Sequence, residues 1–250
     1  MLRKKILNTA LLSYNIHMRN FRDLSYLGLK KGMLLRGGAL HRVYQRDIDM
    51  LKNEHNLKVV VDLRSTDECL KRKDRDIPGI RHLHIPLLPE QNGIHTEDPI
   101  IDVKGLKLPD LLHSYRLLVG PDRKEVWTEI FNLLLEDSQD GIYFHCSAGK
   151  DRTGLVVAII LTVLGYDKKT IYDDYLLTNK SNLYHWKIAK QIPVKELQQV
   201  FIEYFNANEE YLDESFNEIN RLYGSIDVFL KDICSLDEKK IAFLKKKYLA

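Results

Sequence analysis

Positions 141–164 read GIYFHCSAGKDRTGLVVAIILTVL, and the character of the chain changes twice within them. Gly141 to His145 is a short apolar run of the kind that forms a strand buried on both faces. Cys146 to Arg152 is polar and carries a glycine. From Thr153 to Leu164 the apolar residues recur at helical spacing, and Gly165 supplies a stop. Outward from this unit, Lys58-Val59-Val60-Val61-Asp62-Leu63 repeats the buried-strand pattern, and His82 to Pro86 offers a further strand. Helical periodicity spans about Tyr44 to His55, and Asp122 to Leu135 through Val126, Ile130, Phe131 and Leu134. Strands therefore alternate with helices. That order predicts an α/β fold, with a largely parallel central sheet and helices on both faces. Ligands of such sheets sit outside the carboxyl ends of the strands, which is where the polar segment after His145 would lie.

The segment His145-Cys146-Ser147-Ala148-Gly149-Lys150-Asp151-Arg152-Thr153-Gly154 has the makings of an anion trap. Successive backbone N–H groups of a loop from Ser147 to Arg152 can converge on one point, and the helix that follows adds its unpaired donors and the positive end of its dipole. Gly149 allows close approach and a conformation barred to bulkier residues. The dipoles that favour phosphate also favour a thiolate, so Cys146 is expected to act as a nucleophile. Arg152 offers a planar fork for two phosphate oxygens, which lysine could not supply. Thr153 is expected to place its hydroxyl near the sulfur and to stabilise the thiolate as it leaves a phosphocysteine intermediate. His145 is expected to bond backbone and fix the loop. Taken alone, Cys146 would read as one more small buried residue. Arg152 and Gly149 fall where the chemistry needs them, which favours the trap.

The rest of the chain sets bounds on this reading. Pro86 to about Gly105 reads as a loop longer than most. Beyond Gly165 the chain is charged and amphipathic with no strand-like run, so residues 1–250 are expected to form one unit: an α/β core over about 1–165, with the loop at 145–154, and a helical extension over about 166–250 packed on it. The 38 Lys and Arg exceed the 35 Asp and Glu by only 3, too small a surplus to imply nucleic-acid binding. Cys69, Cys146 and Cys234 are few, odd in number and widely spaced, which suits a reducing compartment better than a disulfide framework. No apolar run approaches the roughly 20 residues of a membrane span, and the basic start lacks a cleavage-like pattern. A cytoplasmic protein is expected, with export into a host left open; the sequence is silent on oligomeric state.

The segment around Cys146 resembles the protein-tyrosine-phosphatase signature, His-Cys, five residues, then Arg, Ser or Thr, and Gly. With Asn20-Phe21-Arg22-Asp23-Leu24, Leu34-Leu35-Arg36-Gly37-Gly38-Ala39-Leu40, Val61-Asp62-Leu63-Arg64-Ser65, Asp173-Asp174-Tyr175-Leu176-Leu177-Thr178-Asn179 and Asn208-Glu209-Glu210-Tyr211-Leu212, it is similar to the bacterial branch of tyrosine/serine phosphatases whose loop reads His-Cys-x-Ala-Gly-Lys-Asp-Arg-Thr-Gly. The resemblance covers nearly the whole chain. It implies a dual-specificity-phosphatase-like fold, no metal or other cofactor, and hydrolysis of phosphotyrosine, with phosphoserine, phosphothreonine or phosphoinositides as further substrates in some members.

The leaving oxygen needs a proton, and the Trp-Pro-Asp segment of the more familiar phosphatases is absent. Asp151 is the first candidate acid, being in the loop and at the position the resembling branch is thought to use. Asp62, at the end of its strand, is the second, unless it is only a structural partner of Arg64; Asp98, Asp102 and Asp174 are more remote. Lys150 reads either as a solvated loop charge or as a holder of a second anion such as an inositol phosphate. For Arg22 and Arg36, structural ion pairing is the stronger expectation. Gly149-Lys150 is no nucleotide-binding loop, since Phe144 and Asp151 occupy positions that would need Gly and Ser or Thr. His82 and His84 find no third metal ligand at convincing spacing. A papain-like or sulfurtransferase cysteine would leave Arg152-Thr153-Gly154 unexplained. A phosphate-binding module without turnover and a primarily lipid-directed phosphatase stand as the alternatives that activity would separate.

Overall fold

A computed structural model describes residues 18–88, 110–181 and 189–250 in full, together with the backbone of four short strands between 90 and 109. The strands are β1 (Arg22–Asp23), β2 (Leu34–Gly38), β3 (Leu57–Asp62), β4 (Arg81–His84), β5 (Glu90–Gln91), β6 (Ile94–His95), β7 (Ile100–Val103), β8 (Leu106–Pro109) and β9 (Gly141–Cys146). The helices are α1 (Gln45–Asn53), α2 (Thr66–Lys71), α3 (Leu111–Leu117), α4 (Lys124–Leu135), α5 (Asp151–Leu164), α6 (Lys168–Leu176), α7 (Lys195–Phe205), α8 (Glu209–Tyr223), α9 (Ile226–Asp232) and α10 (Glu238–Tyr248). The five-stranded sheet runs β1-β2-β9-β3-β4, parallel throughout except for β1 at its edge.

Alternation along the central strands divides the core in two. Val59, Val61, Ile142 and Phe144 face a large cluster with Trp127, Ile130 and Phe131 of α4 and the apolar residues of α5 from Leu155 to Leu164. Leu57, Val60 and Tyr143 face a smaller one with Ile48 and Leu51 of α1. Helices α8, α9 and α10 also join the large cluster, through Leu212, Ile219, Phe229, Leu244 and Tyr248. α5 is buried on almost every side, which is why its sequence is apolar all round rather than striped.

Several expectations need correcting. The segment from Pro86 to Gly105 is not loop throughout: β5 pairs with β6, and β7 with β8, as short antiparallel ladders. β2, which the strand patterning passed over, lies next to β9 despite ending in Gly37 and Gly38, residues that weaken strand propensity. The helix expected from Thr153 starts two residues earlier, so Asp151 and Arg152 belong to its first turn. Among the described residues no helix is long and apolar enough to cross a membrane.

Candidate active site

Register brings Gly38 of β2 level with Cys146 of β9, and Asp62 of β3 level with His145. All lie at the carboxyl edge of the sheet. Cys146 is only 2% exposed there, and the loop from Ser147 to Lys150 curls from it into the first turn of α5. Gly149 takes a φ of +67°, and a Cβ on it would meet Gly37 O at 2.3 Å, so no other residue fits that turn without moving β2.

The outer side of the loop is tied back through its carbonyls. Arg36 Nη2 donates to Gly149 O at 2.9 Å, and the Asn20 amide donates to Gly149 O at 2.7 Å and to Ala148 O at 3.3 Å. In a planar trans peptide the N–H points opposite to its carbonyl. The N–H groups of Gly149 and Lys150 are therefore turned to the inside of the loop, as a trap requires. Arg36 is itself held by Asp174, which also takes Arg22 Nε at 2.9 Å and the Tyr26 hydroxyl. Burial alone would raise the Asp174 carboxyl, but Arg22 and Arg36 outweigh it and hold it down at about 2. Two buried arginines against one carboxylate leave positive charge behind the loop. Asp174 is thus no candidate acid, and the ion pairing expected for Arg22 and Arg36 is present.

The inner side is set by Arg152, whose guanidinium forms a two-pronged ion pair with Glu68 of α2, Nη2 to Oε1 at 2.9 Å. Glu68 also accepts from the Ser147 hydroxyl, and it closes a capping box with Ser65. Burial pushes the Glu68 carboxyl up, but Arg152, Ser147 and the Ser65 amide together hold it well below the usual range. Glu68 escaped the sequence reading. Its local signal, Ser65-x-x-Glu68 directly after a strand, marks a helix start; its pairing with a residue 84 positions away has no local signal at all.

Asp62 is clamped by Arg64, with Nη2 at 2.6 Å from Oδ2 and Nε at 2.9 Å from Oδ1. Against the effect of burial, Arg64 and His145 lower its carboxyl to about 2. A carboxyl held that low is ionised at neutral pH, which weighs against Asp62 as the proton donor. Asp62, Asp74 and His145 converge as a metal triad might, yet Arg64 lies 2.8 Å from Asp74 as well and already supplies the cation to both carboxylates. His145 Nδ1 lies 3.3 Å from Cys146 O. Cys69 donates its thiol to Asp62 at 3.2 Å, and burial with that carboxylate pushes it up to about 12, so it stays a thiol and does not compete as nucleophile.

Asp151, the first residue of α5, is partly exposed and held at Oδ1 by the Tyr115 hydroxyl at 3.0 Å and by Lys150 Nζ at 3.2 Å. Tyr115 in turn bonds the Tyr175 hydroxyl at 2.8 Å. Tyr175 packs so close to Gly154 that a Cβ there would meet its ring at 2.8 Å, which gives the last glycine of the motif its reason. The Lys150 side chain is neither a solvated charge nor aimed at a ligand: it is 4% exposed and donates to Tyr204 O at 3.1 Å and Asn206 O at 3.4 Å at the C-terminal end of α7. Thr153 is fully buried, and its hydroxyl has no hydrogen-bond partner. Asp98 and the side chain of Asp102 lie outside the described residues.

A family model described as the tyrosine phosphatase family matches residues 16–250. The chain belongs to that family. The phosphatase is 29% identical to a Cupriavidus necator protein provisionally named a tyrosine-protein phosphatase, over 92% of this chain and 86% of that one. It is 31% identical to the triple specificity protein phosphatase PtpB of Mycobacterium tuberculosis, over 85% of this chain and 90% of the relative. It is accordingly a cysteine-dependent phosphomonoester hydrolase acting on phosphorylated substrates, phosphotyrosine among them, and its parallel sheet with flanking helices is the α/β architecture expected from its sequence.

Proposed function

We propose that catalysis runs through Cys146, Arg152, Asp151 and Thr153. The Cys146 thiolate attacks phosphorus, an S–P bond forms as the P–O bond to the tyrosyl oxygen breaks, and Asp151 gives that oxygen its proton. Arg152 and the inward N–H groups share the charge on the equatorial oxygens. Asp151 then takes a proton from the attacking water as the S–P bond breaks, and the Thr153 hydroxyl, which has no other partner, stabilises the departing thiolate. The observation that carries this reading is the loop whose carbonyls are tied back to Arg36 and Asn20, with Cys146 at its mouth. Ser147, Ala148, Gly149, Lys150 and Asp151 contribute backbone to that loop; Lys150 contributes no side-chain contact to phosphate. Asp151 is preferred to Asp62 because only Asp62 is locked bidentately by an arginine. Free thiols at Cys69, Cys146 and Cys234 fit work in the cytoplasm. Phosphoserine, phosphothreonine and phosphoinositides extend the substrate range in this reading.

The test is hydrolysis of a phosphotyrosine peptide, a phosphoserine peptide and a phosphoinositide by metal-free protein across pH. Cys146→Ser is expected to abolish turnover, and Asp151→Asn to lower it and remove the basic limb of the pH profile. A basic limb that survives in Asp151→Asn would put the acid elsewhere. No turnover by the unaltered protein on any of the three would defeat the proposal.

A further inference from the structure

The Asp151 carboxyl is held from one side only. Tyr115 of α3 is fully buried and donates its hydroxyl to Oδ1 at 3.0 Å. Lys150 Nζ approaches the same oxygen at 3.2 Å while donating to Tyr204 O and Asn206 O at the end of α7. Among the described residues no hydrogen bond engages Oδ2. Tyr115 is itself fixed at three points. Its hydroxyl lies 2.8 Å from that of Tyr175, its ring stacks on Tyr211 of α8 at 5.5 Å, and the Ser215 hydroxyl, also of α8, donates to its carbonyl at 2.7 Å. Burial first, and then the Asp151 carboxylate, push the Tyr115 and Tyr175 phenols far up. Both therefore keep their protons, so Tyr175 donates to Tyr115 and Tyr115 to Asp151.

We propose that Tyr115 is the positioning residue of the acid: its hydroxyl holds the Asp151 carboxyl by Oδ1, so that Oδ2 carries the proton to the leaving oxygen. This rests on Asp151 as proton donor and deepens that reading with a residue that touches no substrate. Oδ1 accepts the same bond as a carboxylate oxygen and as the carbonyl oxygen of the acid, so the side chain keeps its place while the proton leaves and returns. In the first step the O–H bond at Oδ2 breaks and its proton passes to the tyrosyl oxygen as the P–O bond breaks; Tyr115 keeps its own proton throughout. Proton transfer depends on such alignment. The groups that face the carboxyl are Tyr115 from α3, Tyr175 from α6, Tyr211 from α8, and Lys150 and Arg152 beside it. Among them only Tyr115 gives it a neutral hydrogen bond, so removing that hydroxyl alters alignment without altering the charge around the loop.

The experiment measures kcat/KM across pH for the unaltered protein, Tyr115→Phe, Asp151→Asn and the double variant. Its substrates are a phosphotyrosine peptide and nitrophenyl phosphate, whose leaving group needs little help from a proton. Tyr115→Phe is expected to lower kcat/KM on the peptide about tenfold, part of the roughly hundredfold or more that a general acid supplies. On nitrophenyl phosphate the loss should stay within about twofold, because little proton transfer is needed. A hydrogen bond donated to a carboxylate favours its ionised form, so without it the basic limb on the peptide should move up by about one pH unit. In the Asp151→Asn background, Tyr115→Phe should lower the rate no further. Equal losses on the two substrates, an unmoved basic limb, or additive losses in the double variant would overturn the positioning role while leaving Asp151 as acid. Equal losses of Asp151→Asn itself on the two substrates would instead defeat the acid assignment, and this proposal with it. Should Tyr115→Phe not fold, a ring-fluorinated tyrosine in place of Tyr115 is a stronger donor of nearly the same volume. It is expected to move the basic limb to lower pH, and an unmoved limb there overturns the proposal as well.

Discussion

The two sides of the phosphate loop are held by ion pairs of opposite design. Behind it, Arg36 and Asp174 are 0% and 1% exposed, and Arg22 and Tyr26 bond the same carboxylate. Inside it, Arg152 and Glu68 are 13% and 32% exposed, and Glu68 sits on the first turn of a short helix. A buried pair contributes little net stability while intact, yet breaking it is costly because the remaining charge cannot reach water. A pair that water still reaches can part at smaller cost. The hub behind thus fixes the shape of the loop, while the pair inside keeps the Arg152 fork aligned and can still release it to a phosphate.

The largest test of this contrast is Asp174→Asn, which leaves Arg22 and Arg36 buried without their carboxylate. A loss of about 3–5 kcal/mol is expected in urea unfolding, with turnover falling as well. A variant as stable as the parent would mean that the hub does not hold the loop.

How much of this could be read in the sequence depended on how local each signal was. β3, β9 and α5 showed themselves through runs of apolar residues, and Cys146, Gly149 and Arg152 through fixed spacing within one loop. β2 was hidden by its glycines; a Cβ on Gly37 would meet the Tyr143 hydroxyl at 2.2 Å, a contact no local pattern records. Glu68 and Tyr115 act on residues 84 and 36 positions away, and no periodicity records such partners. Lys150 shows the converse: its place in the motif left a solvated charge and a second-anion holder both open, and only the fold shows its ammonium donating to the end of α7. Asp62 and Arg64, two residues apart, are a pairing visible in sequence as a possibility and in structure as a bidentate clamp.

Asp62 sharpens the comparison at intermediate size, since it belongs to a third pair, 15% exposed against 1% for Arg64. Its carboxyl is lowered from 3.8 to about 2 on folding, so its contribution is fully present above 3.8 and is lost as pH falls towards 2. Asp62→Asn is expected to cost about 2 kcal/mol at neutral pH. The gap from the parent should close on acidification below about pH 4. Denaturant midpoints taken along that pH range check it; a gap independent of pH would mean that the effect is packing rather than charge.

The smallest effect on stability, and the most informative about mechanism, belongs to Glu68. It serves two neighbours at once, the capping box of α2 and the Arg152 fork, and the two roles can be separated. Ser65→Ala removes the cap but keeps the carboxylate, so it should cost about 1 kcal/mol of stability and leave kcat nearly unchanged. Glu68→Gln keeps the size of the side chain but removes the charge that aligns Arg152, so it should shift stability by about 1 kcal/mol or less. It should lower kcat roughly tenfold while KM moves little, because alignment of the fork matters most where charge develops on the equatorial oxygens. If Ser65→Ala lowered kcat as much as Glu68→Gln, the carboxylate would matter only for holding α2 in place, and the contrast between the two sides of the loop would fail on its inner side.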